Sequence, residues 1–68
     1  MIEYKIIETM KIQNKTVAVL NKARDISDFD KPKVVVADKA YSYSITHNAL
    51  SIIIDTVENL NGEIIHFE

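Results

Sequence analysis

Three side chains of this 68-residue sequence, Ser44, His47 and Asp55, supply a hydroxyl, an imidazole and a carboxylate. These are the parts of a nucleophilic relay. A relay also needs a base held against the nucleophile and donors aimed at a developing oxyanion. It works inside a pocket, and so short a chain has little interior to spare for the roughly 300 Å³ typical of ligand sites. The lone glycine, Gly62, leaves no glycine-rich loop to cradle a phosphate. No catalytic residue is assigned, and the chain is expected not to be an enzyme.

Metal chemistry fares no better on spacing. His47 and His66 stand far apart with no third ligand beside either, and there is no cysteine. A zinc site normally takes at least three protein ligands. Asp25, Asp28 and Asp30 fall at intervals that lack the glycine and terminal glutamate of a calcium loop, and they read as a solvated loop. No metal and no cofactor is expected.

Two kinds of binding surface are left. Tyr41 and Tyr43 alternate with Ser42 and Ser44, which places both rings on one side of an extended chain together with Ile45. A base-stacking platform needs Lys or Arg beside its aromatics. None follows Lys39, so the rings read as part of a core face, with hydroxyls reaching its rim. Lys11, Lys15, Lys22 and Arg24 can share the outside of an N-terminal hairpin and make a candidate nucleic-acid face. The net charge of −2, with Glu3 and Glu8 interleaved among the lysines, argues against affinity for phosphate backbones. The charge is divided along the chain, +2 through Lys39 and −4 from Ala40 onward. Such a division can orient a partner or favour head-to-tail self-association.

The elements that hold these residues are strands. Ile2, Tyr4, Ile6, Met10 and Ile12 share one parity, and Ile7 and Glu8 interrupt the alternation where a bulge is expected. The run from Ile2 to Ile12 pairs with Thr16–Ala23 around a turn at Asn14-Lys15. The segment from Arg24 to Pro32 is a loop, in which Ile26 and Phe29 form one helical turn that tucks apolar groups beneath it. A second hairpin follows, with Asp38-Lys39 as its turn and the tyrosines on its second strand. "LSIIIDTV" makes a fifth strand with Leu50, Ile52 and Ile54 on one face. Asn61-Gly62 turns into a sixth, where Ile65 and Phe67 face the core and His66 faces out.

The sequence therefore describes a single domain over residues 1–68 of the all-β class. It is a small antiparallel β-barrel or roll of five to six strands, built from two hairpins plus a C-terminal strand pair. At most one helical turn is expected, near residues 26–30. Closure is favoured because a flat sheet of this size leaves its apolar face bare. Ile7, Val35, Ile53 and Ile64 lie on the parity opposite the core and form the candidate interaction surface. With exposed strand edges and the divided charge, they suggest a non-enzymatic protein-binding module, self-associating as a homo-oligomer or adding a partner's strand to an edge. The alternative is a nucleic-acid-associated accessory protein. No segment reads as a secretory signal or a membrane span, and a cytoplasmic location is expected. Eleven isoleucines and seven lysines suggest an AT-rich bacterial genome.

Overall fold

Six antiparallel strands close into a barrel in a computed structural model that describes all residues, Met1–Glu68. They are β1 (Tyr4–Ile12), β2 (Lys15–Leu20), β3 (Lys33–Val36), β4 (Lys39–Ile45), β5 (Ser51–Ile54) and β6 (Ile64–Phe67). Around the barrel their order is β1-β2-β5-β4-β3-β6, with β6 returning to β1 through Tyr4 opposite Ile65. The C-terminal strands do not pair with each other: β5 lies between β2 and β4, and β6 between β1 and β3. The ring is complete, but β6 meets β1 only at Tyr4 and Lys5, so the exposed edge expected from the sequence is confined to stretches such as Glu8–Ile12, which pair with β2 alone.

Both hairpin turns fall one residue earlier than the sequence suggested. The first is Gln13-Asn14, with Ile12 opposite Lys15 and a positive φ at Gln13. The second is Ala37-Asp38, both at positive φ, with Val36 opposite Lys39. Moving a two-residue turn by one position keeps every side chain on its own face, so the apolar pattern alone could not choose between these registers.

The bulge on β1 has the larger consequence. Ile6 pairs with Leu20 and Glu8 with Val19, which leaves Ile7 unpaired and inverts the faces beyond it. Tyr4 and Ile6 point into the core, whereas Met10 and Ile12 are exposed rather than buried. The interior is filled by Tyr4, Ile6, Ala18, Leu20, Val34, Val36, Ile52, Ile54, Ile65 and Phe67, with Leu60 from the β5–β6 loop. Tyr41 and Tyr43 pack against it half-buried, as their parity required. Ile45 and Leu50, expected on the same core face, are exposed at the two ends of the β4–β5 loop. The fifth strand is correspondingly shorter than "LSIIIDTV".

The loop before β3 holds the expected single helical turn but not its expected packing. A single 3₁₀ turn covers Ile26–Asp28, capped by the Asp25 carboxylate, which accepts from the Ser27 amide and hydroxyl. Its apolar residues do not tuck under: Ile26 is 78% and Phe29 60% exposed, while Asp28 is only 2% exposed. No helix is long and apolar enough to cross a membrane.

Candidate functional site

The outer surface of a closed barrel meets water on every strand, so an apolar row there calls for a reason. On β1, β2 and β5, Met10, Val17 and Ile53 stand directly opposite one another across two strand pairings. Met10 is 61% exposed, and Val17 and Ile53 are half-buried. Ile12, on the same face of β1, and half-buried Val19, on the same face of β2, extend the row to either side. Lys15 and Asp55, paired at 3.2 Å, mark its polar border. A shallow hollow of about 370 Å³, lined by Ile45, Thr46, His47 and Ile53, continues the surface onto β4.

The four residues of the expected interaction surface all avoid the core, but they do not lie together. Ile53 sits in the row just described, and Ile7 stands 55% exposed at the bulge of β1. Val35 and Ile64 belong to the other half of the barrel, on β3 and β6. There they line a second hollow of about 380 Å³ with His66 and the carboxylates of Glu3, Asp38 and Glu63. Sequence reasoning missed Met10 and Ile12. Their signal was the predicted bulge, whose inversion of the faces must be carried through the rest of the strand.

The basic residues are likewise divided. Lys11, turned inward beyond the bulge, donates to the carbonyls of Val57 and Glu58. Lys15 is occupied by Asp55. Both stand at the end of the barrel crossed by the β5–β6 loop. Lys22 and Arg24 stand at the opposite end, the Lys22 ammonium 5.4 Å from the centroid of the Tyr4 ring. Arg24 lies over Phe29, Tyr43 and Phe67, at 4.9, 6.0 and 5.8 Å from the three centroids.

Each end is closed by a tyrosine. At one, the Tyr4 hydroxyl donates to Asp28 at 2.6 Å and accepts from the Asp25 amide at 2.8 Å. Asp28 also pairs with Lys31 at 3.1 Å, and the Tyr43 hydroxyl donates to the Lys31 carbonyl at 2.7 Å. Burial raises the Tyr4 phenol above its ordinary range, and the bond to Asp28 adds to that. At the other end, the Tyr41 hydroxyl donates to Glu58 at 2.6 Å, with Lys39 at 3.4 Å from the same carboxylate. That hydrogen bond raises the Tyr41 phenol and holds the Glu58 carboxyl below its usual range.

The residues first considered for chemistry do not converge. Ser44, on the outer face opposite Ile53, has no hydrogen bond to His47, and Asp55 is turned to Lys15. His66 meets Glu68 at 2.8 Å, and no group of three His, Cys, Asp or Glu side chains is arranged to hold a metal ion. Compared with protein-family models, curated proteins and solved structures, the chain matches none.

Proposed function

We propose that this protein is a non-enzymatic binding module that presents the outer face of β1, β2 and β5 to another protein, a second copy of itself being the simplest partner. The row Met10–Val17–Ile53 carries the reading. Burying one such aliphatic side chain against a partner contributes about 1.5–3 kcal/mol. Three of them in adjacent strands make a plausible centre for an interface, and the Lys15–Asp55 pair supplies a polar rim. Because the row lies on the outer face of paired strands, the partner would meet it through side chains.

The nucleic-acid reading loses support from the separation of its residues. Lys11 and Lys15 stand at one end with internal partners, and Lys22 and Arg24 at the other. A phosphate backbone would have to span the barrel between them.

Sedimentation velocity over a range of concentrations tests the self-association arm, comparing wild type with Met10→Asp, an exposed position that leaves the core intact. Salt-insensitive association that Met10→Asp abolishes supports the reading. Affinity capture from host lysate, with and without nuclease, tests the wider one. A protein recovered in both arms and lost with Met10→Asp supports it; recovery that vanishes with nuclease overturns it in favour of nucleic acid.

A further inference from the structure

The two edges of β1 are not used alike. The first hairpin closes on Ile12 opposite Lys15 across a two-residue turn. Such a closing pair exchanges both of its backbone bonds, and every second pair along the ladder does the same. Ile12, Met10 and Glu8 therefore direct their N–H and C=O groups at β2, while Thr9 and Lys11 direct theirs away from it. On that far side β6 reaches only Tyr4 and Lys5. Ile6 is the last residue served there, donating to the Glu63 carbonyl and accepting from the Gly62 amide, both at 2.9 Å. Nothing in the barrel bonds to the backbone of Thr9 or Lys11.

Natural edges are blunted by a lysine held across them, by a bulge or by a covering element. The bulge at Ile7 lies at one end of this stretch and does not interrupt it. Lys11 is turned under the barrel onto the carbonyls of Val57 and Glu58, so its ammonium does not guard the edge. Glu8, Met10, Lys11 and Ile12 are exposed, and Thr9 is half-buried. We propose that Glu8–Ile12 is a pairing edge whose occupant is the same segment of a second copy, laid antiparallel with Met10 opposite Met10. The pairing rests on the self-association reading, but it does not require the outer row to be covered.

The sequence of the edge selects both the occupant and the register. A two-fold axis can pass beside Thr9, Met10 or Lys11. Beside Lys11 it sets two ammonium side chains directly opposite each other, which is destabilising. Beside Thr9 it draws the unpaired bulge residue Ile7 into the ladder, opposite Lys11. Beside Met10 it uses Glu8–Ile12 alone, with Glu8 opposite Ile12 and Thr9 opposite Lys11. Each Thr9–Lys11 pair then exchanges its two free backbone bonds, and the two-fold supplies that pair twice. Met10 meets its own copy at a non-hydrogen-bonded site, where side chains approach most closely. The row Ile53–Val17–Met10 thereby runs on into Met10, Val17 and Ile53 of the second copy. An edge that is its own complement closes a dimer and leaves nothing to propagate a fibre. A ladder this short buries little area, so the dimer is expected to dissociate on dilution.

The test is amide hydrogen exchange of the whole protein by NMR over a dilution series, with sedimentation velocity on the same samples. The Thr9 and Lys11 amides are expected to be protected in the dimer and to exchange at least about tenfold faster in the monomer, while the Met10 amide, bonded to β2, stays protected throughout. Thr9→Pro removes a donor that β2 does not use, so it should abolish association and keep the dispersion of the spectrum. The chain has no cysteine, so Met10→Cys should give a disulfide-linked dimer under mild oxidation, and Glu8→Cys, facing Ile12, should not. Val17→Lys alters the outer row and leaves the edge intact, so it should still dimerise with Thr9 and Lys11 protected. Association with both amides exchanging freely would overturn the edge contact and leave the row as the interface. Protection that persists at every dilution would overturn it in favour of cover from within the chain. A monomer at all concentrations would overturn the edge contact and self-association together.

Discussion

The two ends of the barrel are closed by the same bond in different surroundings. Tyr4 donates to Asp28 and Tyr41 to Glu58, both at 2.6 Å. At the Tyr4 end the carboxylate is buried and held by a second partner, Lys31. At the Tyr41 end half of the Glu58 side chain is open to water, and so is most of the Lys39 side chain beside it. Equal geometry does not mean equal energy. A buried carboxylate that loses its partners carries a desolvation cost, whereas an exposed one exchanges a phenol for water at little loss.

Removing Asp28 should therefore have the largest effect. Asp28→Ala strands the Tyr4 hydroxyl inside the barrel and frees Lys31, at about 2–4 kcal/mol. A domain of this size draws only about 3–5 kcal/mol from its core, so chemical denaturation should find this variant close to unfolded. If it unfolds near the wild-type midpoint, the contrast between the ends is broken.

Tyr4→Phe should cost less, about 1–2 kcal/mol, because the ring and its edge-on packing against Phe67 at 5.5 Å remain. The same variant sharpens the comparison through pH. Because the folded phenol titrates above its unfolded value, its contribution is complete below about pH 10 and is lost as pH rises through the folded pKa. Thermal midpoints measured from pH 8 to 11 should fall steeply in wild type and less in Tyr4→Phe.

The Tyr41 end should give the smallest response. Tyr41→Phe is expected to cost a few tenths of a kcal/mol. The Glu58 carboxyl, held below its usual range, stabilises the fold above the ordinary carboxylate pKa, and that contribution fades as pH falls through its folded value. Glu58→Gln should flatten the acid limb of the stability curve slightly and lower the midpoint at pH 7 only a little, the two proteins converging at low pH. A large loss at neutral pH in either variant would mean the two ends are equivalent after all.

The strands were legible because period-two patterning is local and this chain repeats it in every element. The bulge at Ile7 could be read too, from two consecutive residues that break the alternation. Its effect on Met10 and Ile12 was harder to see, since the inversion turns Thr9 and Lys11 toward the inner face and two aliphatic residues outward, the reverse of what apolar patterning favours. Asp28 was illegible for another reason. Its local sequence, three aspartates and a serine, is that of a solvated loop, and its partner Tyr4 lies twenty-four residues away. Arg24 could be counted as a charge, but the ring of aromatics around it is assembled from a loop and two separate strands. Side chains that close the barrel ends are selected by contacts distant in sequence, and local pattern carries no trace of them.

The seam between Tyr4 and Ile65 also governs how the fold is reached. Both hairpins can form early from neighbouring residues, but β1 and β3 acquire their common neighbour only when Ile64–Phe67 arrive. Until then each presents an unpaired edge flanked by isoleucine and valine, the kind of surface through which chains zip together intermolecularly. Pairing across such sequence separation is slow, because loop closure must precede any reward from the contacts. Docking of Ile64–Phe67 is thus the step that covers both edges and closes the barrel.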